Sequence, residues 1–160
     1  MQACRSAAGS RCGCGRALAD ADLLGFCKTS GGLGLHLYVP LGPGHSFTDS
    51  KAFARSLAAR LTNERPDAIT DRRDEPSRVG RVLIDWIPNS PRALTVTPYS
   101  LRAADAPFAS TPVRWDEVEA SASGEAGGVL RFDAARVLER ARAEGDPFRP
   151  VLELRQRLPA

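Results

Sequence analysis

The sequence predicts an α+β fold in which a mainly antiparallel sheet is flanked by helices. Three observations predict this class. One long segment repeats apolar residues at helical spacing, several short segments alternate apolar and polar residues between glycines and prolines, and a turn joins two of these short segments as in a hairpin. A chain of 160 residues suits one domain, so its strands and helices should share a core.

The N-terminal part of the chain predicts little regular structure before a glycine-rich turn. Residues 1–18 are small, polar and glycine-rich, and we expect them to be disordered or an aberrant start. A short helix is expected at about residues 17–26, with Gly25 as its end. A turn at residues 31–34 then leads into an alternating strand over residues 35–41.

The long amphipathic segment predicts the first extended helix. Thr48 or Asp49 should cap its N-terminus, and the helix should run to about Glu64 because Pro66 cannot continue it. Apolar side chains four residues apart should form one buried stripe. The stripe consists of Phe53, Leu57 and Leu61.

Two strands and a second helix complete the predicted fold. Residues 81–87 and a segment that starts at about Ala93 predict strands, and the sequence "PNSPR" between them favours a hairpin. A clear helix over residues 134–144 should begin after the capping residue Asp133 and end at Gly145.

Charge and hydropathy place broad limits on the function. The formal net charge is +3 and the pI about 8.9, which is compatible with a nucleic-acid partner but does not indicate one. No apolar run approaches the ~20 residues needed to cross a membrane. The N-terminal arginines are followed by no apolar core of a secretory signal. We therefore expect a cytoplasmic protein with no membrane partner.

The four cysteines do not predict a metal site. They are Cys4, Cys12, Cys14 and Cys27. Their spacing matches no common zinc pattern, and disulfides are rare in cytosolic proteins. We expect free thiols in a flexible segment.

Asp85 is the first candidate functional residue. It lies between Ile84 and Trp86 in an apolar strand segment, where a carboxylate costs free energy unless it is paired, bound to metal or at an open edge. One interpretation is a functional carboxylate. The other is a side chain that faces water on the polar side of an antiparallel strand. The sequence leaves both open.

The glycine turn is the second candidate. Ser30, Gly31 and Gly32 can present backbone N–H groups to a phosphate because no Cβ atom intervenes at the glycines. His36, on the polar face of the following strand, would add a donor. A turn that only connects two strands is the plainer alternative.

Arg102 is the third candidate, at the end of the second strand of the predicted hairpin. A guanidinium near a metal-binding carboxylate suits a nucleoside triphosphate, whereas a solvent-exposed arginine is the alternative. The chain has no GK[ST] phosphate loop, no GxGxxG before a helix and no serine in a nucleophile elbow. These absences exclude three common classes of site.

Several stretches together resemble one family. "KTSGGLGLHLYVPL", "GRVLIDWIPN" and "TVTPYSLRA", in this order and spacing, resemble the polymerase domain of bacterial DNA ligase D, which belongs to the archaeo-eukaryotic primase superfamily. "STPVRWDEV" and the C-terminal stretch from Leu130 fit the same domain. The resemblance covers about Leu23 to Ala160 and implies the C-terminal part of a primase-like palm. We therefore assign residues 19–160 to a partial polymerase domain.

The resemblance implies a metal-dependent nucleotidyltransferase. Such a polymerase, similar to primases, adds nucleotides to DNA ends during DNA repair by non-homologous end joining, with Mn or Mg as the divalent metal. Asp85 would be a catalytic, metal-binding carboxylate. DNA ends, a nucleoside triphosphate and ligase or Ku-like repair proteins would be the partners, and the protein would associate with the nucleoid. The implied nucleotide-binding residues are Ser30, Gly31, Gly32, His36 and Arg102.

The chain departs from the family pattern at several positions. Leu33 stands where the family has a lysine, and Pro88 where it has a glutamine. The family's paired Asp-x-Asp metal motif lies well upstream of the glycine turn, and we expect this chain to begin too late to contain it. Asp20 and Asp22 should not replace the motif, because positions i and i+2 of a helix point about 200° apart.

These departures predict an N-terminally truncated polymerase domain that is inactive, or nearly so, alone. Three alternatives stay open: a non-catalytic module that binds nucleotide or DNA ends, one half of a split polymerase, and a nonfunctional fragment. Salt-dependent binding to a 5′-phosphorylated DNA end would distinguish a binding module. Co-expression with the missing half would restore activity to a split enzyme.

Overall fold

The computed structural model describes residues 13–123 and 130–159. Six helices and five strands lie within these ranges. In chain order they are α1 (Gly13–Ala19), β1 (Phe26–Thr29), β2 (Leu35–Tyr38), α2 (Phe47–Glu64), β3 (Ile69–Thr70), α3 (Glu75–Arg78), β4 (Val82–Leu83), β5 (Pro112–Val113), α4 (Trp115–Ser123), α5 (Ala134–Glu144) and α6 (Arg149–Glu153).

A three-stranded antiparallel sheet carries the glycine turn. Its strand order is β2-β1-β5. Lys28 of β1 lies opposite His36 of β2, and Thr29 opposite Leu35, so the glycine turn closes this hairpin. On the other side of β1, Cys27 lies opposite Val113 of β5. The predicted α+β class with an antiparallel sheet and flanking helices is confirmed.

The second sheet differs from the predicted hairpin. β3 and β4 pair in parallel, with Ile69 opposite Val82, and β4 has two residues where residues 81–87 were predicted. The backbone N–H groups of Val82 and Ile84 donate to Ala68 and Thr70, and residues 93–97 form no strand. The hairpin prediction is wrong because the prolines between the two segments remove backbone donors, and β4 pairs with β3 instead.

Strand β1 was not predicted, because residues 17–26 were expected to form a helix. α1 ends at Ala19 instead, and the chain turns back as β1 from Phe26. Gly25 does not end a helix. A Cβ atom at this position would lie 2.5 Å from Leu18 Cδ1, so the glycine lets the strand pass close to α1.

The structure places residues 13–18 in α1, where disorder was predicted. Burial of apolar side chains stabilises a glycine-containing helix that is too short to form alone. Cys14, Ala17 and Leu18 are buried. Cys14 and Cys27 are thus core residues rather than parts of a flexible segment. Residues 1–12, which include Cys4 and Cys12, lie outside the described residues.

Helix α2 begins two to three residues earlier than its predicted caps imply. Ser46 is the N-cap: its Oγ accepts the Asp49 N–H at 3.2 Å, and the Asp49 Oδ2 accepts the Ser46 N–H at 2.8 Å. Neither Thr48 nor Asp49 is the cap, because Asp49 occupies the third helical position of this capping box. The buried stripe is confirmed at Leu57 and Leu61.

Helix α5 matches its prediction. Asp133 caps it by accepting the Arg136 N–H at 2.8 Å. Gly145, with φ +73°, ends it and donates its N–H to Ala141. The cap and the terminal glycine are both local signals, which is why the boundaries could be predicted.

Two apolar clusters form the core of the described residues. One joins α1, α2, β3 and the residue after β4. The other lies under the three-stranded sheet, against α4 and α5. Among the described helices, none has the length and apolar character needed to cross a bilayer.

Candidate functional site

The glycine turn is held closed by its own serine. The Ser30 N–H donates to the Gly34 carbonyl at 2.8 Å, and the Ser30 Oγ accepts the N–H groups of Gly32 and Gly34, each at 3.2 Å. These two amides face the serine hydroxyl, so they are engaged within the turn. At Gly31, φ is +71° and a Cβ atom would lie 2.8 Å from the Phe108 carbonyl oxygen. The position therefore requires glycine.

A buried lysine lies two residues before the turn, opposite His36. The Lys28 Nζ donates to the Val96 carbonyl at 2.8 Å and to the Ser110 Oγ at 2.6 Å, and lies 3.0 Å from the His36 Nδ1. Our sequence reasoning missed this residue. Its signal was compositional, because Lys28 and Lys51 are the only lysines among 22 basic residues.

Burial changes the protonation of this pair. It lowers the pKa of Lys28 from 10.5 to about 8. Burial first, and then the positive charges of Lys28 and Arg102, lowers the pKa of His36 from 6.5 to about 4. At neutral pH the lysine is therefore charged and the histidine neutral.

Arg102 lies against the glycine turn. A Cβ atom at Gly31 would be 3.1 Å from the Arg102 Cβ, and one at Gly32 would be 3.7 Å from the Arg102 Nη1. The Arg102 N–H donates to Phe108 at 3.0 Å, and an isolated bridge between Leu101 and Ala109 holds this part of the chain. The residue is exposed, and a loop positions it, since the hairpin that would have carried it toward Asp85 does not form.

The structure thus brings four of the predicted residues to one turn and places the fifth on the adjoining strand. The four are Ser30, Gly31, Gly32 and Arg102. His36 is only 2% exposed, so its ring lies below the surface. No ion pair among the described residues involves Lys28 or Arg102. Two cations beside a glycine turn can attract an anion.

Asp85 lies two residues after β4, next to the parallel sheet. Its side chain is 7% exposed and forms an ion pair with Arg73, whose side chain is 49% exposed. The Arg73 Nε donates to the Asp85 Oδ1 at 3.1 Å and its Nη2 to the Oδ2. The Ile87 N–H also donates to the Oδ1, at 3.3 Å. A guanidinium therefore compensates the charge of this carboxylate here.

The described residues do not by themselves form a site for a divalent cation. Within residues 13–123 and 130–159, no group of three His, Cys, Asp or Glu side chains is close enough to hold a metal ion. Both oxygens of Asp85 accept hydrogen bonds from Arg73. Such a cation prefers about six oxygen ligands, so Asp85 could supply only one of them.

The positions that depart from the family pattern have clear structural settings. Leu33 is 65% exposed on the turn and leaves it without the expected lysine charge. Asp20 follows α1 and forms an ion pair with Arg60 at 2.7 Å. Asp22, with φ +54°, also lies after that helix rather than within it. Neither carboxylate belongs to a cluster of metal ligands among the described residues.

Comparisons with known proteins agree with the sequence resemblance. The family described as LigD, primase-polymerase domain, matches residues 1–148, so the match includes the first 18 residues. The multifunctional non-homologous end joining protein LigD of Mycolicibacterium smegmatis is 38% identical over 134 residues, which is 84% of this chain and 17% of that protein. The protein of the same name from Pseudomonas aeruginosa is 38% identical over 146 residues, 89% of this chain and 17% of that protein.

A solved structure has the same fold. The polymerase domain from Mycobacterium tuberculosis ligase D in complex with DNA matches with a TM-score of 0.81 and 30% identity, over 90% of this chain and 48% of that one. The chain therefore spans about half of that domain structure and a small part, 17%, of the curated relatives. Because the family match covers most of the chain and the fold agrees, the chain belongs to the LigD primase-polymerase domain family.

Proposed function

We propose that this chain is part of a metal-dependent nucleotidyltransferase that adds nucleotides to DNA ends in non-homologous end joining. Its described residues would supply the phosphate-binding side of the site. One observation carries this proposal: Arg102 lies against the glycine turn and the buried Lys28 lies two residues before it, and neither forms an ion pair among the described residues. The family, and the relatives' names, support the reaction class and the end-joining role.

Each residue at the turn has a proposed role. Gly31 and Gly32 would let the triphosphate approach the backbone, because neither has a Cβ atom in its way. At Gly31 a side chain would also meet the Phe108 carbonyl and Arg102. Ser30 shapes the turn through the two amides that its Oγ accepts. Arg102, which is exposed, would pair with phosphate oxygens. His36, on the adjoining strand β2, would donate a hydrogen bond to a phosphate oxygen.

Asp85 is proposed as one carboxylate ligand of a divalent cation, Mn or Mg. Arg73 holds both of its oxygens, so the guanidinium must withdraw from at least one before a cation binds. The other carboxylate ligands would have to come from another chain, because Glu125 is the only Asp or Glu outside the described residues. For this reason we propose that the chain alone is inactive or nearly so.

The test of activity is manganese-dependent nucleotide addition to a primed, 5′-phosphorylated DNA. We expect no extension by the purified chain, with Asp85→Ala as the specificity control. Extension that Asp85→Ala abolishes would contradict the proposed inactivity, because it would show that the chain completes its own metal site.

The test of phosphate binding uses a fluorescent nucleoside triphosphate. We expect Arg102→Ala to weaken binding by at least about tenfold, as for loss of a charge-assisted hydrogen bond. Arg92→Ala is the matched control, because Arg92 is also an exposed arginine but lies outside the turn. Equal losses in the two variants would mean that the triphosphate responds only to net charge.

A second function is a non-catalytic module that holds DNA ends or nucleotide, together with ligase or Ku-like proteins. The incomplete set of metal ligands among the described residues favours this candidate. The neighbouring domain structure was solved in complex with DNA. One half of a split polymerase is a third candidate, and recovery of extension on co-expression with the missing half would identify it; a folded chain that neither binds nor extends would be a nonfunctional fragment.

A further inference from the structure

The cluster around Lys28 has a role that the proposed function leaves open. Lys28 is fully buried, and its Nζ reaches three acceptors: the Val96 carbonyl at 2.8 Å, the Ser110 Oγ at 2.6 Å and the His36 Nδ1 at 3.0 Å. An ammonium carries three N–H groups, so each acceptor matches one donor. The geometry leaves no donor of the ammonium unused.

This arrangement fixes the direction of the neighbouring hydrogen bonds. An ammonium has no lone pair, so the His36 Nδ1 must accept and the ring hydrogen must lie on Nε2. In the same way the Ser110 Oγ accepts from Lys28 and donates its own hydrogen to the Thr29 carbonyl at 2.7 Å. The lysine therefore orients both partners.

The charge of Lys28 is not balanced by a carboxylate among the described residues. Neutral acceptors and the face of the Tyr38 ring, 5.7 Å from the Nζ, compensate it only in part. Water screens a buried charge weakly, so its field extends to the glycine turn two residues further along the chain. Burial lowers the Lys28 pKa to about 8. Because this value is still above neutral pH, the ammonium stays mostly charged there.

We propose that Lys28 is a positioning residue of the phosphate site. Its ammonium holds His36 in the Nε2–H tautomer, as a hydrogen-bond donor, and gives the glycine turn a positive charge that the described residues compensate only in part, for a polyphosphate ligand. This inference rests on the proposed function, which supplies the ligand class. A purely structural role, in which Lys28 only joins β1 to the segments at Val96 and Ser110, would give the same His36 tautomer but would not require Lys28 to strengthen phosphate binding.

The tautomer is measured in the native protein without ligand, and a variant serves only for assignment. The chain has two histidines, His36 and His45, so ¹⁵N-histidine labelling gives two ring spin systems, and His45→Gln assigns them. At pH 7 we expect His36 to show a protonated Nε2 and an unprotonated Nδ1. A protonated Nδ1 would overturn the proposal, because Lys28 would then be a neutral acceptor.

The charge is tested with Lys28→Met, which keeps an unbranched side chain one atom shorter than lysine and removes the ammonium. Inorganic tripolyphosphate is the probe, with binding measured by calorimetry. We expect at least about tenfold weaker binding and a mixture of His36 tautomers. Lys51→Met, the other lysine of the chain, should leave both properties unchanged.

Two failures are distinguishable. Tripolyphosphate binding that a folded Lys28→Met variant retains would overturn the role of Lys28 and leave the proposed function standing. A native protein that has the expected tautomer but binds no tripolyphosphate would overturn the proposed function, and with it the phosphate role of Lys28.

A pH titration of the native protein keeps the charge testable if Lys28→Met does not fold. Native affinity for tripolyphosphate should fall as the pH rises above the free-protein Lys28 pKa of about 8. Of the groups around Lys28, His36 is already neutral there and burial raises the pKa of Tyr38, while Arg102 is the other cation at the turn. An affinity that does not fall up to pH 10 would overturn the proposal.

Discussion

Position 31 requires glycine for two reasons, its positive φ and a nearby carbonyl oxygen. A matched pair of variants can measure the two free-energy costs separately. Gly31 and Gly80 have nearly equal φ values, +71° and +68°, but only Gly31 has an atom in the way, the Phe108 carbonyl oxygen at 2.8 Å. Gly80→Ala should therefore lose about 1 kcal/mol of unfolding free energy from backbone strain alone. Gly31→Ala should lose at least about 2 kcal/mol more in urea denaturation, since the carbonyl must also move. Equal losses of unfolding free energy in the two variants would show that the Phe108 carbonyl can move away from a Cβ atom at no cost.

His36 predicts an acid-sensitive stability. Its pKa is 6.5 in an unfolded chain and about 4 in the folded one, so between these values the unfolded state binds the extra proton. The contribution of His36 to the free energy of unfolding is complete above pH 6.5 and is lost as the pH falls to about 4. We expect this group to lower the unfolding free energy by up to about 3 kcal/mol across that window.

The control for this pH dependence removes one histidine at a time. Carboxylates also titrate near pH 4, so the quantity to compare is the difference between variants in urea unfolding at pH 7 and pH 4.5. His36→Asn keeps an acceptor for Lys28 and should flatten the dependence, whereas His45→Asn should retain it. A native slope in His36→Asn would show that the imidazole is not buried neutral.

At the scale of elements, local signals predicted boundaries and tertiary pairing decided the rest. Helix α5 has its own cap and terminal glycine, and its range followed from the sequence. The range of strand β1 did not follow from the sequence, because a lysine is usually exposed. Two of the three acceptors that surround Lys28, the Val96 carbonyl and the Ser110 Oγ, come from distant segments. Likewise, β4 was predicted to pair forward in a hairpin, but its N–H groups bond back to β3. Such partners are set by the whole core and leave no local pattern.

The capping box of α2 gives a prediction at the same scale. Ser46→Ala removes the acceptor of the Asp49 N–H, and we expect it to lower the unfolding free energy by about 1 kcal/mol. Ser50→Ala, inside the helix, should change it by less than about 0.5 kcal/mol, because the Ser50 Oγ only donates to Phe47 in the preceding turn. Thermal or urea unfolding measures both. The reverse order would contradict the assignment of the cap.

At the scale of the whole molecule, the sequence grouped the glycine turn with Arg102, but the hairpin expected to carry Arg102 toward Asp85 does not form. Motif order was enough to group residues that lie within one hairpin and its neighbouring loop. Asp85 depends on Arg73, an arginine in a charged loop that no spacing connects to it. Lys28 depends on contacts up to 82 positions away along the chain. Compensation of buried charge is thus the part of this site that requires the structure.

The last prediction concerns DNA ends and tests the binding surface as a whole. The net charge is only +3, so any tight binding must come from local phosphate contacts rather than from the overall field. We expect a duplex with a 5′-phosphorylated end to bind with an affinity that falls about tenfold or more between 50 and 200 mM salt, as for several phosphate contacts. Fluorescence anisotropy measures the binding, with a 5′-hydroxyl duplex of the same sequence as the control.

A variant at the turn separates DNA from nucleotide. Because we propose that Arg102 binds the triphosphate, Arg102→Ala should weaken nucleotide binding more than DNA binding. If it abolishes both equally, the glycine turn belongs to the DNA-end surface and the nucleotide must bind elsewhere.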